Sequence, residues 1–106
     1  MSKRRVVITG LGAVTPVGND IPAFWAAIQE GKCGVAPITL YDTENNKCKL
    51  AAEVKDFQPE QFLDKKDLRH MDRFTQFALV AAREAMQDSG LNMEQEDATR
   101  CGTVVS

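Results

Sequence analysis

Two glycines that follow a β-branched stretch have a spacing that could serve nucleotide chemistry. Gly10 and Gly12 come directly after residues 5–9, where dinucleotide-binding domains carry their phosphate-binding turn. The rest of that fingerprint is missing, because Thr15 stands where a third glycine or alanine is expected and no acidic residue ends a second strand about 20 residues later. A nucleotide-binding α/β domain stays an alternative. The favoured interpretation is a close backbone crossing beside a neighbouring strand.

The cysteines and the single histidine are the possible nucleophiles and soft metal ligands of the chain. They are Cys33, Cys48, Cys101 and His70. A zinc site needs about four nitrogen or sulfur ligands, usually with a closely spaced pair, and the chain has no such pair. We therefore expect no metal site and no cofactor. An odd number of sparse cysteines also argues against a disulfide framework and predicts a cytoplasmic location.

A cationic stretch is the third candidate for function. Its basic residues are Lys65, Lys66, Arg69, His70 and Arg73. Positions 66, 69, 70 and 73 share one face if the whole stretch is helical. Such a face is either the complement of an acidic partner or a solvated surface with aspartates at 64, 67 and 72 as neighbours, and the residues alone favour the solvated surface.

The composition limits what these candidates can be. The chain has 106 residues, of which 43% are hydrophobic, and a formal net charge of -2, as expected for one small folded domain. An acidic chain has no overall attraction for nucleic acid. Its longest apolar run, residues 78–82, is far shorter than the roughly 20 residues of a membrane span. We expect no nucleic-acid partner and no membrane partner.

Local signals predict the elements that must position these residues. Residues 5–9 are β-branched and bounded by Gly10, which favours a strand buried on both faces over a signal peptide. Asp20 is a suitable N-cap for a helix with Pro22 in its first turn, and Gly31 is a suitable residue to end that helix.

The middle of the chain is predicted to be irregular until its longest helix. Residues 32–49 carry turn signals, residues 50–54 suit a short strand, and Pro59 can open a short helix. From residue 73 to residue 89 the apolar side chains recur with helical spacing, and Gly90 follows. This apolar stripe is predicted to pack in the core and not to form a ligand-binding surface.

A second buried strand is predicted at residues 102–105, opened by Cys101 as a small buried residue. Strand, helix, helix and strand in this order favour a parallel sheet with right-handed crossovers. Two strands cannot cover both of their own faces, and parallel sheets occur where both faces are covered. We therefore expect the chain to be the front part of a larger α/β domain.

An ordered series of motifs runs through the whole chain. Two of the most extended are Arg69-His70-Met71-Asp72-Arg73-Phe74 and Ala85-Met86-Gln87-Asp88-Ser89-Gly90-Leu91. The others are residues 6–12, 15–19, 24–25, 31–34, 41–43, 54–57 and 100–102. In this order the motifs resemble the N-terminal part of the β-ketoacyl-acyl-carrier-protein synthases, most closely the synthase II group.

The resemblance implies a fold and a reaction. The family has the thiolase-like fold, two related α/β halves stacked as five α-β-α-β-α layers, and its members are homodimers. They join an acyl thioester to malonyl-acyl-carrier protein with loss of CO2 in fatty-acid elongation. Residues 1–106 are then the truncated N-terminal portion of the family's N-terminal domain. A small stand-alone carrier-protein-binding module is the alternative.

The resemblance also implies which residues act. The family's nucleophile is a cysteine in an Ala-Cys-Ser motif served by two histidines, and no cysteine of this chain has that context. We therefore expect no catalytic residue here and an inactive isolated chain. Lys66 and Arg69 occupy positions at which the family binds acyl carrier protein. His70 stands where the family often has a third base.

Overall fold

The first helix begins and ends at the residues that the sequence indicates. A computed structural model describes residues 2–106, and within them helix α1 spans Ile21–Glu30. Asp20 accepts a hydrogen bond from the backbone N–H of Ala23 at 2.8 Å. Gly31 follows the helix with a φ of 69°, in the left-handed region that glycine adopts at little cost. Both predicted boundary signals are confirmed.

Two further α-helices follow, and the longer one contributes, with α1, to a small buried centre. The remaining helices are α2 (Lys65–Leu68) and α3 (Arg73–Ser89), and 3₁₀ turns lie at Pro59–Gln61, Met93–Gln95 and Ala98–Arg100. Gly90 ends α3 with a φ of 66°, so the predicted range of this helix is confirmed. Ala27 of α1 and Val80 of α3 are 3% and 6% exposed and form the buried centre of the described residues.

The sheet is a short antiparallel hairpin. Strands β1 (Val35–Pro37) and β2 (Leu50–Ala52) pair with Val35 opposite Ala52, and the Ile38 N–H extends the ladder to Lys49 O at 2.9 Å. The strand predicted at 50–54 is confirmed in its first half. Strand β1 was not predicted, because three residues ending in proline show no alternation of polar and apolar side chains.

The parallel sheet predicted from residues 5–9 and 102–105 is wrong for this structure. Neither range forms a strand, and Val6 and Val104 are 93% and 96% exposed. Cys101 is exposed too, although burial was expected. β-branched residues favour extended backbone, but a strand also needs a neighbour for its hydrogen bonds, and within residues 2–106 these segments have none. The helices and hairpin keep the chain in the predicted α/β class.

Residues 10–13, the Gly10 loop, cross α3 at close range. A Cβ on Gly12 would overlap the carbonyl oxygen of Ala81, and one on Gly10 would lie 2.7 Å from the Ser89 nitrogen. The two glycines therefore allow backbone to pack directly on backbone. The predicted close crossing is confirmed, although its neighbour is a helix and not a strand.

This crossing makes Gly12→Ala destabilising. We expect the free energy of unfolding to fall by about 1–3 kcal/mol, since the added methyl group must displace the α3 backbone. Gly102→Ala is the matched control, because a Cβ there meets no atom within 4 Å. Urea unfolding of both variants measures the difference. Equal stability of the two variants would show that the crossing relaxes freely.

The side chain of Glu53, the residue after β2, bonds to Thr39, which follows β1, and the strength of this contact depends on pH. Its carboxylate accepts hydrogen bonds from the Thr39 N–H at 2.7 Å and the Thr39 hydroxyl at 2.8 Å. The backbone hydrogen bond from Thr39, followed by the hydroxyl, holds the pKa of Glu53 below its usual value.

A depressed pKa contributes stability above the unfolded-state pKa and loses it as the pH falls through the folded-state pKa. We therefore expect Glu53→Gln to be less stable than the unmodified protein at neutral pH, with the difference shrinking as the pH is lowered from roughly 7 to 3. Urea unfolding across this range measures it. A difference that grows on acidification would contradict the assignment.

Candidate functional site

Lys66 and Arg69 lie on and directly after the shortest helix. Asp64 caps α2 by accepting a hydrogen bond from the Lys66 N–H at 3.0 Å, and Arg69 follows the last helical residue with helical dihedral angles. Both basic side chains are exposed. The local sequence builds this turn because an aspartate before a short basic segment satisfies a free helical N–H group. The structure thus brings the two predicted carrier-binding residues together on one exposed turn.

The single helical face predicted for residues 66–73 is interrupted. The helix ends at Leu68, and the His70 N–H closes a turn onto Asp67 O at 3.0 Å. Asp72 is then extended, with a ψ of 159°, so Arg73 begins a separate helix. His70 stays beside Lys66 and Arg69 in the same segment, whereas Arg73 does not continue their face.

Arg73 contacts the protein itself. Its Nη2 donates a hydrogen bond to Val54 O at 3.0 Å, and its guanidinium lies 5.3 Å from the centroid of the Phe77 ring. Phe77 in turn meets Phe57 edge to face at 4.8 Å. Arg73 therefore anchors the segment after β2 to α3, and the sequence pattern that grouped it with the free cations missed this role.

The charges of Lys66 and Arg69 are not neutralised by direct partners in the described part of the chain. The ion pair found there joins Lys32 to Glu30 at 3.3 Å, far along the sequence. The carboxylate of Asp64 is engaged as a helix cap. The exposure of Lys66 and Arg69 is compatible both with the solvated surface that the residues alone favoured and with a surface for an acidic partner.

The Gly10 loop offers its donors to carboxylates of α3. Asp88 accepts the Leu11 N–H at 3.0 Å, and Glu84 accepts the Ala13 N–H at 2.9 Å. Glu84 also accepts the first N–H of α1, at Ile21, at 2.9 Å. A phosphate needs these same loop and helix N–H groups. Because protein carboxylates hold them, the geometry disfavours the nucleotide-binding alternative.

The cysteines are exposed and separately placed. The thiols of Cys33, Cys48 and Cys101 each face a nearby backbone carbonyl, at 3.9, 3.4 and 3.5 Å respectively. Within residues 2–106 no three histidine, cysteine or acidic side chains come together as a metal ion would require. None of the helices in that range has the length and apolarity needed to cross a membrane.

Two solved structures to which the chain is similar contain ketosynthases. The ishigamide ketosynthase/chain length factor is 38% identical and superposes with a TM-score of 0.79, covering 88% of this chain and 23% of its own. A type II polyketide ketosynthase, solved in complex with its acyl-carrier protein, has a TM-score of 0.64 at 23% identity and shows likeness of fold alone. It covers 86% of this chain and 23% of its own. The chain is therefore similar to one part of a ketosynthase structure.

The sequence profile of the β-ketoacyl synthase N-terminal domain matches residues 3–106, and the chain belongs to this family. Two similar curated proteins are each named 3-oxoacyl-[acyl-carrier-protein] synthase 2. The one from Coxiella burnetii is 49% identical and the one from Synechocystis sp. is 42% identical, each over 105 residues. Both alignments cover 99% of this chain and 25% of the relative, so the chain spans a quarter of their length. The resemblance drawn from the motifs is confirmed.

Proposed function

We propose that residues 1–106 form the N-terminal portion of a β-ketoacyl-acyl-carrier-protein synthase of the elongating type. The observation that carries this proposal is the family match over residues 3–106, together with relatives at 42–49% identity that bear this name. The complete enzyme would have the five-layer thiolase-like fold, act as a homodimer in the cytoplasm, and need no cofactor.

The proposed reaction has two steps. In the first, the sulfur of an enzyme cysteine bonds to the acyl carbon as the original C–S bond of the thioester breaks, and the thiol that leaves takes up the proton lost by the cysteine. Malonyl-acyl-carrier protein then loses CO2, and the electron pair released forms the new carbon–carbon bond as the bond from the acyl carbon to the cysteine sulfur breaks. This chain contributes scaffold and part of the surface for the carrier protein, because none of its cysteines has the family's Ala-Cys-Ser context.

The isolated 106-residue chain should therefore be inactive. Nucleophilic catalysis needs a cysteine and its base within hydrogen-bond reach, and the cysteines described here lie beside backbone carbonyls. We expect no turnover of acyl- and malonyl-acyl-carrier protein above the background without protein. A full-length 3-oxoacyl-acyl-carrier-protein synthase 2 in the same assay is the positive control. Steady turnover by the purified chain would refute this assignment of roles.

The intact mass of the protein in its source organism tests whether these 106 residues are part of a longer enzyme or a stand-alone module. A mass about four times the 11.7 kDa of this chain is expected, since the chain spans 25% of its curated relatives. A source protein of 11.7 kDa that binds acyl carrier protein would instead favour the stand-alone binding module.

Acyl carrier protein is the partner proposed for Lys66 and Arg69. Two exposed cations without an ion-pair partner within residues 2–106 are the electrostatic complement of an acidic protein. The relatives' name includes the same carrier protein. His70 lies in the turn that follows α2. Binding of holo-acyl carrier protein to charge-reversed variants tests this proposal.

A further inference from the structure

The segment that carries Lys66 and Arg69 has little intrinsic stability. Helix α2 is four residues long, which is too short to persist in water without tertiary support. A cavity of about 440 Å³ separates the preceding loop from α3, and Phe62, Val80 and Gln87 are among the residues that line it. The position of the two cations therefore depends on contacts that bridge this gap.

One side chain of α3 makes such a contact. Arg83 Nη1 donates a hydrogen bond to Phe62 O, and its guanidinium lies 5.8 Å from the centroid of the Phe62 ring. Phe62 lies two residues before Asp64, the cap of α2. The planar guanidinium thus holds both the backbone and the ring of Phe62, two residues before the α2 cap.

We propose that Arg83 is a positioning residue for carrier-protein docking, acting through Phe62 to hold α2 so that Lys66 and Arg69 meet the carrier together. The inference rests on the proposed function of these two cations. Other contacts to α3 hold an earlier part of the loop, because Arg73 and Phe57 fix residues 54–57. The cavity lies between α3 and the part of the loop that contains Phe62, and Arg83 reaches Phe62 across it.

The test measures carrier-dependent kinetics in the complete enzyme. Arg83→Ala should raise the KM for acyl-carrier-protein substrate about threefold to tenfold, the effect of losing one hydrogen bond and one cation–π contact. The kcat and the KM for a carrier-free acyl thioester should stay unchanged. Arg83→Lys should recover part of the loss, since it keeps a donor but not the planar stack. Equal losses with both substrates would overturn the proposal.

Two controls separate positioning from a direct charge contact. Arg100→Ala removes the same charge from an exposed arginine elsewhere and should leave the KM for carrier substrate near its original value. In the background of Lys66→Glu with Arg69→Glu, Arg83→Ala should have little further effect, because it acts through these residues. Additive losses would show that Arg83 contacts the carrier itself and would overturn the proposal.

A local measurement supports or refutes the mechanism without any carrier. The amides of Leu68 and His70 close α2 and its following turn onto Asp64 O and Asp67 O. In Arg83→Ala these amides should exchange hydrogen faster than in Arg100→Ala, whereas unchanged exchange would overturn the proposal. If the double charge reversal leaves carrier affinity unchanged, the proposed function of Lys66 and Arg69 fails. If that reversal weakens binding and Arg83→Ala does not, only the positioning role fails.

Discussion

Reversing the two proposed docking charges, with Lys66→Glu on α2 and Arg69→Glu directly after it, should weaken binding of holo-acyl carrier protein about tenfold to a hundredfold at low salt. Each reversal removes an attraction and adds a repulsion toward an acidic partner. Transfer from a carrier-free acyl thioester should remain nearly intact, because the change affects encounter and not chemistry. At 1 M salt the loss should become small, since exposed charges are then screened over about 3 Å.

The matched control reverses two exposed lysines elsewhere, with Lys47→Glu and Lys49→Glu, and so produces the same change in net charge. His70→Lys should act in the opposite direction and tighten binding, because it places a lysine ammonium group next to Arg69. Titration calorimetry with holo-carrier protein at two salt concentrations measures all three. If the control pair weakens binding as much as the α2 pair, net charge and not this surface attracts the carrier.

Removing the carboxylate of Glu84 should be the most destabilising single change among those considered. Glu84→Ala is expected to lower the free energy of unfolding by about 2–4 kcal/mol. The half-buried carboxylate accepts the Ala13 N–H at 2.9 Å and the Ile21 N–H at 2.9 Å. It thereby joins α3, the Gly10 loop and the start of α1, and its charge lies at the positive end of that helix.

Two variants isolate the contribution of this carboxylate. Glu84→Gln keeps one acceptor oxygen and should cost about half as much as Glu84→Ala. Asp88→Asn changes a more exposed carboxylate that accepts only the Leu11 N–H, and should cost less than about 1 kcal/mol. Urea unfolding compares the three. If Glu84→Ala is as stable as Asp88→Asn, water replaces the carboxylate at the Ala13 and Ile21 N–H groups. Glu84 would then not be needed to join α3, the Gly10 loop and α1.

The helices were predictable because their signals are local. Asp20 and Gly31 bound α1, and the apolar spacing with Gly90 bounds α3, so each helix depends on residues within a few positions of itself. Lys66 and Arg69 were identified through the motif resemblance, and their place on a short capped turn agrees with Asp64 as a local N-cap. That they bind a carrier protein stays a prediction.

The errors arose where distant segments had to meet. The cationic stretch was grouped by helical spacing, but the extended backbone at Asp72 sends Arg73 toward Val54 and Phe77. Glu84 and Asp88 are four residues apart on α3, and this spacing indicates a shared helix face. Their hydrogen-bond partners lie 63 to 77 residues away in the sequence and could not be predicted from it. Arg83 and Phe62 were missed for the same reason.

The family, the two main helices and the glycines that allow a close crossing could be read from the amino-acid sequence. The folded structure was needed to show that Gly10 and Gly12 pack on α3 and that Glu84 and Asp88 accept the N–H groups of the loop. It also showed that residues 5–9 have no strand partner within residues 2–106. The physical reason is that caps and periodicity report the energy of neighbouring residues, whereas sheet pairing and side-chain partners depend on which distant atoms come within contact distance. Extended backbone with β-branched residues is a local preference, and a strand requires a neighbour as well.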